Sequence, residues 1–169
     1  MRDAFGGAFM FKVFLVFIMI YICFTAMALN YARAFKVKNA VIDYLESNEI
    51  TTLDNLTTAM EMRQIEDYFT SEILGKMQYN YSAMNICGEG VSTGQILANG
   101  VYCHPSGVII ELAGEGENTE GVYYTVSTYI GWKVPFLQGL LSLNGNNPTQ
   151  STPIGIWKIS GQTRLIVNE

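Results

Sequence analysis

Histidine is almost absent from this chain: His104 is the only one among 169 residues. A metal centre with two imidazoles, or a Ser-His-Asp triad, must therefore be built around His104 or not exist. Cationic charge is also scarce, with 10 Lys and Arg against 15 Asp and Glu and a net charge of −5. Beyond residue 38 the only basic residues are Arg63, Lys76, Lys133, Lys158 and Arg164, and the balance there is about −9, which repels phosphate backbones and argues against nucleic acid as a partner. Two glycine clusters, Gly88-Glu89-Gly90 and Gly114-Glu115-Gly116, lack the spacing and the Lys-Ser/Thr end that cradle a nucleotide. Adjacent carboxylates occur at Glu66-Asp67 and near-adjacent ones at Glu115 and Glu117. Helical neighbours diverge and turn residues face water, so both pairs read as solvated faces with ordinary acidity. The expectation is a chain without catalytic residues, resident cofactor or metal.

What the chain does have is a nearly uncharged apolar run over residues 13–29, VFLVFIMIYICFTAMAL. At about 1.5 Å per residue it is roughly 26 Å long as a helix, near the lower limit for crossing a bilayer. A snorkelling Lys12 extends it back to residue 8. Two other readings compete. A cleaved signal peptide has a shorter apolar region and a small-residue cleavage site, which Ala26-Met27-Ala28 imitates weakly. A buried helix of a soluble domain needs a core able to cover it on every side, which nothing downstream resembles.

Residues 30–48 continue without Gly or Pro, and Ala34, Val37, Val41, Tyr44 and Leu45 recur at helical spacing. This predicts an amphipathic extension of the same helix, with Lys36, Lys38, Asp43 and Glu46 on its solvent face. A second helical stretch is expected over residues 53–74, with Thr52 or Asp54 as N-cap and Gly75 as the stop. Its apolar positions Leu53, Leu56, Met60, Ile65, Phe69 and Ile73 slip once in phase, so two shorter helices fit equally well. Asn55 and Asn80 head glycosylation sequons of low specificity.

From Met77 the chemistry turns to β: aromatic and β-branched runs between Gly, Asn, Pro and Ser clusters. The longest strand is predicted over residues 122–134, with Val122, Tyr124, Val126, Ile130, Trp132 and Val134 inward and Tyr123, Thr125, Ser127, Tyr129 and Lys133 outward. Gly131 suggests a bulge. Two short strands are expected around Pro105-Ser106-Gly107, an exposed turn over 114–121, an apolar bridge over 136–143 and a polar loop over 144–153. A last hairpin is expected over 154–159 and 163–167, turning at Ser160-Gly161-Gln162. The fold class that follows is α+β, a long N-terminal transmembrane-plus-amphipathic helix packed on a small antiparallel sheet.

Cys23 lies in the apolar run, whereas Cys87 and Cys103 fall between turn signals. In an oxidising compartment these two would close the intervening loop and contribute about 3 kcal/mol. The alternative, a zinc site of Cys87, Cys103 and His104, matches no common ligand spacing and lacks a fourth ligand. Tyr123 and Tyr129 share one predicted strand face, either pairing across strands or forming an interaction surface for a partner.

An apolar helix running into an amphipathic extension and a small β-domain that ends TVSTYIGWKVPFLQGLL and then GIWKISGQTRLIVNE resembles the pilin-like proteins. It is most similar to the TadE-like minor pilins of bacterial tight-adherence pili. The likeness covers the helix and the last third of the chain. It implies a pilin-like fold, other pilin-like subunits or assembly-platform membrane proteins as partners alongside the lipid bilayer, and processing near Gly6 or Gly7. If Gly7 were the last residue removed, Lys12 would stand at the fifth mature position, where pilins carry a glutamate that neutralises a neighbour's terminal amine. A cation there repels that amine in lipid. The expected organisation is a cytoplasmic segment at 1–12, a transmembrane helix at 13–29, an amphipathic extension at 30–48 and an extracytoplasmic α+β domain at 49–169. The expected role is that of a single-pass, cell-surface, pilin-like subunit or accessory of a pilus or secretion apparatus. The alternative is a membrane-tethered extracellular ligand-binding or adhesion domain.

Overall fold

Nothing in residues 8–47 breaks a helix, since neither Gly nor Pro occurs there. In the computed structural model, which describes residues 2–48, 50, 59–97, 100–115, 121–132 and 155–167, one α-helix, α1, runs Arg2–Ser47. Gly6 and Gly7 fall inside it. It ends where the Asn48 side-chain amide donates to the Tyr44 carbonyl (2.8 Å) and the Ile50 N–H to that of Leu45 (3.3 Å), satisfying orphan carbonyls of the last turn.

The chain divides into two compact units, Met1–Ala32 and Arg33–Glu169. The first carries the apolar run. Its large side chains, among them Phe9, Phe14, Phe17, Phe24 and Leu29, are exposed, and the helix is long and apolar enough to cross a membrane.

The second unit is an antiparallel sheet with helices on one face. Its strands are β1 (Gln95–Leu97), β2 (Val101–His104), β3 (Val108–Glu115), β4 (Gly121–Trp132), β5 (Gly155–Gln162) and β6 (Ile166–Val167). They lie in the order β1-β2-β3-β4-β5, with β6 also on β4. The chain is therefore α+β, as the change from helical to two-residue periodicity predicts.

The helical stripe is fully buried at Ala34, Val37, Val41 and Leu45. It packs on Val126 and Ile130 of the sheet in one core that also takes in Val108, Ile110 and Tyr124. Lys38 departs from expectation: it is 9% exposed, not on a solvent face. Its stem crosses the glycine surface of Gly161, and its ammonium stands 4.3 Å from the Phe35 ring centre, a cation–π contact that shelters the charge.

The second helical stretch is seen as α2 (Ala59–Tyr68) running into a π-helix (Phe69–Lys76). Residues 51–58, with both N-cap candidates and Asn55, lie outside the described residues. The five-residue step from Met60 to Ile65, where the sequence pattern slips, falls inside α2, before the π-winding begins. Ile65, Phe69 and Ile73 are spaced by four, and in a regular α-helix each such step overshoots a turn by about 40°. Wider turns bring them back over the sheet, and all three are buried. The Tyr68 hydroxyl donates to the Ala40 carbonyl (3.0 Å), and its ring stacks on Tyr44 at 4.1 Å. These contacts dock α2 on the second half of α1.

Several strand expectations are corrected. Ser160-Gly161-Gln162 is not a turn but the end of β5, paired with Ser127, Val126 and Thr125. β6 pairs with Gly121 and Val122 of the same neighbour, so β5 and β6 follow one another along β4 instead of forming a hairpin. The glycine answers the approach of Lys38, not a reversal of the chain. The bulge is not at Gly131, which pairs regularly with Ile156, but between Leu112 and Gly114 of β3. There the Tyr123 ring lies against the bare backbone of its cross-strand partner Gly114, an aromatic cover for a glycine. Ser127, expected on the outward face, is completely buried. Tyr124, Val126 and Ile130 do face the core as predicted, and Thr128 joins them by donating to the Ala34 carbonyl (3.2 Å). Of the turn expected over 114–121, Gly114 and Glu115 belong to β3 and Gly121 to β4, the strands running further than the acidic, Gly-rich sequence suggests; residues 116–120, the bridge at 136–143, the loop at 144–153, Lys133 and Val134 lie outside the described residues.

Candidate functional site

The chemistry-bearing side chains of the domain converge where α2 crosses β2. Pro105 cannot continue the β2–β3 ladder, so the chain reverses over 105–107, closed by the Gly107 N–H donating to the His104 carbonyl (3.0 Å). Gly107 sits at φ +100°, a conformation that favours glycine. The tight reversal folds Ser106 back onto His104. The Ser106 N–H donates to His104 Nδ1 (3.1 Å), and Ser106 Oγ lies 2.7 Å from the same nitrogen. Nδ1 is thus the acceptor, which assigns the proton of the neutral ring to Nε2.

That nitrogen faces Glu66 Oε1 at 3.5 Å. The other carboxylate oxygen, Oε2, accepts the Gly94 N–H (3.0 Å). Phe69, three residues after Glu66, stacks on the imidazole at 4.4 Å. Glu66 was expected on a solvated face with Asp67; the structure separates the two, leaving Asp67 exposed and turning Glu66 inward at the margin of the buried stripe. The signal for this was its offset of three from Phe69, a same-face spacing. Tyr102 is the other boundary of the cluster. A side chain at Gly94 would collide with its hydroxyl, which has no hydrogen-bond partner among the described residues.

Burial holds the His104 pKa below its ordinary 6.5, outweighing the nearby Glu66 carboxylate, which pulls it up. Burial likewise raises the Tyr102 hydroxyl, and Glu66 adds to the rise. Unfolded chains therefore take up a proton near pH 6.5 that the folded ring accepts only at lower pH. Stability from this group is complete above pH 6.5 and falls as the pH drops toward the folded value, by at most about 1.4 kcal/mol per pH unit. Urea titrations of the detergent-solubilised full chain between pH 7 and 5 should show that slope, and His104→Gln should flatten it. An equal slope in the variant would show that other groups carry the pH dependence.

Serine, imidazole and carboxylate in sequence have the composition of a hydrolytic triad, here closed inside the domain. His104 and Ser106 are each only 1% exposed, so the serine oxygen has no path to a substrate while the turn is closed. The cluster pins backbone. Cys87 and Cys103 form a disulfide with Cα atoms 5.7 Å apart, holding one end of the segment 87–94, and Glu66 holds the other at Gly94. With both sulfurs used, no thiolate stands beside His104. No group of three His, Cys, Asp or Glu suited to a metal occurs among the described residues.

Tyr123 and Tyr129, the expected interaction surface, share the sheet face turned away from the helices and are both half-buried. Tyr123 is used over Gly114. The Tyr129 backbone is clamped by the buried Tyr79 hydroxyl, which accepts its N–H (2.9 Å) and donates to its carbonyl (2.6 Å). Burial raises the Tyr79 pKa, keeping the hydroxyl protonated as a donor. Sequence reading missed Tyr79, whose function is visible only across 50 residues.

Comparison with known protein families, curated proteins and solved structures returns no match to this chain.

Proposed function

We propose that this chain is a single-pass membrane protein that holds its disulfide-bonded α+β domain outside the cytoplasm and works by protein–protein contact. The reading takes it as a pilin-like, TadE-like subunit or accessory of a bacterial surface pilus or secretion apparatus. One observation carries it. α1 alone supplies both an exposed apolar stretch long enough for a bilayer and, through Ala34, Val37, Val41 and Leu45, a wall of the domain core. A cleavable leader has no reason to share a helix with the core it leaves behind. The Cys87–Cys103 bridge supports the extracytoplasmic placement, because disulfides persist in oxidising compartments.

Among interaction roles, a minor or non-filament position fits best, since Lys12 puts a cation where filament packing in lipid favours an acid. The buried Ser106-His104 pair supports a structural over a hydrolytic role for the only histidine.

Expression of a tagged full chain tests the reading. The protein should stay with membranes through alkaline carbonate, have an intact mass that retains residues 13–29, and react at Lys158 with an impermeant amine reagent in whole cells. Lys158 is 44% exposed at its side chain, so failure to label it on intact cells would reverse the topology. A mass lacking residues 1–28 would identify a signal peptide instead. Shearing of surface appendages should leave the chain in the membrane fraction.

A further inference from the structure

Carboxylates are distributed unevenly along this chain. Between Asp3 and Asp43, and again between Glu120 and Glu169, the sequence contains no Asp or Glu. Within the second unit the fold brings parts of these stretches together, because α1 from Arg33 onward packs on β4 and β5. Their alignment is fixed at three points. Thr128 bonds to the Ala34 carbonyl (3.2 Å) and lies 3.4 Å from that of Ile159. Lys38 crosses Gly161. Glu46 accepts the Arg164 N–H (2.7 Å). Advancing along α1 thus advances along β5, and the first residues of β5 lie toward the end of the domain where the chain enters at Arg33.

That end is apolar and cationic together. Ile156 is 50% exposed, Trp157 43% and Phe35 43%, and Arg33 and Lys36 are exposed beside them in sequence. Arg33 directly follows the apolar unit that ends at Ala32. If that unit lies in lipid, whatever surrounds Arg33 in the domain stands within a few ångströms of the headgroups. Tryptophan, tyrosine and snorkelling Lys or Arg are the residues that favour this interface. Removal of acids from the same region removes the repulsion an anionic leaflet would exert.

We propose that this end of the domain, Arg33, Phe35 and Lys36 with Ile156 and Trp157, docks on the surface of an anionic bilayer. The inference rests on the membrane-anchored reading above and adds a second contact to it. The anchor holds the chain in the membrane, and the docked end fixes how the domain stands on it. The rest of the domain is then presented to partners.

The test uses the full chain reconstituted in vesicles of phosphatidylcholine and phosphatidylglycerol, with Trp132→Phe leaving Trp157 as the single tryptophan of the two. Trp157 emission should shift to the blue and be quenched by lipids brominated near the headgroup. Each of Arg33→Gln and Lys36→Gln should lower the ratio of docked to undocked domain about fivefold, as expected for about 1 kcal/mol per surface cation. Flotation of the same vesicles after carbonate reports anchoring independently. A chain that floats while its Trp157 emission is indifferent to bromine overturns docking and leaves the anchor intact. One that fails to float overturns both, and equal quenching in phosphatidylcholine alone overturns the anionic surface as the partner. Should Trp132→Phe fail to fold, the same signal is read as the difference between the unaltered chain and Trp157→Phe.

Discussion

Reduction of the Cys87–Cys103 bridge, or replacement of both cysteines by serine, should cost the domain about 3 kcal/mol and lower its melting temperature by about 10 °C. The bridge closes a loop across a sequence separation of 16, and most of the loss comes from the freedom returned to the unfolded chain. A local consequence distinguishes this from general weakening. Segment 87–94 is pinned at one end by the disulfide and at the other by the Glu66–Gly94 hydrogen bond. It also contains Gly88 and Gly90, both at positive φ, so its conformation has little intrinsic preference. Loss of the bridge should raise amide exchange at Gly94 before the strands β3 and β4 exchange. Urea unfolding of the detergent-solubilised full chain, with and without reductant, measures the first effect, and exchange mass spectrometry the second. Unchanged stability under full reduction would mean that the helices and sheet hold the segment unaided.

Phe69→Ala should be the most damaging single truncation in the helical layer, at about 3–5 kcal/mol. The ring is 1% exposed and lies among three aromatic neighbours, His104 at 4.4 Å, Tyr102 at 5.9 Å and Tyr68 at 6.1 Å. Against a typical domain stability of about 5–15 kcal/mol, such a loss brings the chain close to unfolding. The variant also changes the imidazole. Burial is the main reason its pKa lies below 6.5, and water entering the space left by the ring relieves it, so the His104 pKa should rise. With one histidine in the chain, its titration by NMR is a single unambiguous curve. A curve that stays put in a folded variant would show that Phe69 does not seal the site. Phe69→Leu should keep more of the stability, since it fills most of the volume, while losing the stack.

Legibility in the sequence follows the range of the interactions involved. The stripe Ala34, Val37, Val41, Leu45 was readable because each residue's burial depends on neighbours three and four positions away. Tyr124, Val126 and Ile130 were readable for the corresponding reason in a strand. Lys38 was misread because its chemistry alone says solvent, and only Gly161, more than a hundred positions on, provides the groove in which it lies. Ser160-Gly161-Gln162 was misread by the same contact seen from the other side. A glycine that makes room for a lysine stem is indistinguishable, in one dimension, from a glycine that makes a turn. The Ala113 region shows the complementary case: the bulge sits where Tyr123 meets Gly114, a pairing that needs strand register before it can be recognised.

The candidate site divides along the same line. That Cys87 and Cys103 were suited to each other followed from their turn-rich surroundings. That Glu66 belongs with His104, and not with Asp67, depended on the crossing of α2 over β2.

Composition and local periodicity by themselves determined that the chain is α+β, that it has an apolar helix long enough for a bilayer, and that one helical stripe and one strand face build its core. These are properties of spacing and transfer free energy, which neighbours in sequence already contain. Tertiary structure alone decided that β5 and β6 share one edge of β4, that a lysine is buried against a glycine, and that a lone histidine is locked between a serine and a glutamate. Each depends on residues brought together from distant positions, where packing and desolvation outweigh the preference of any single residue.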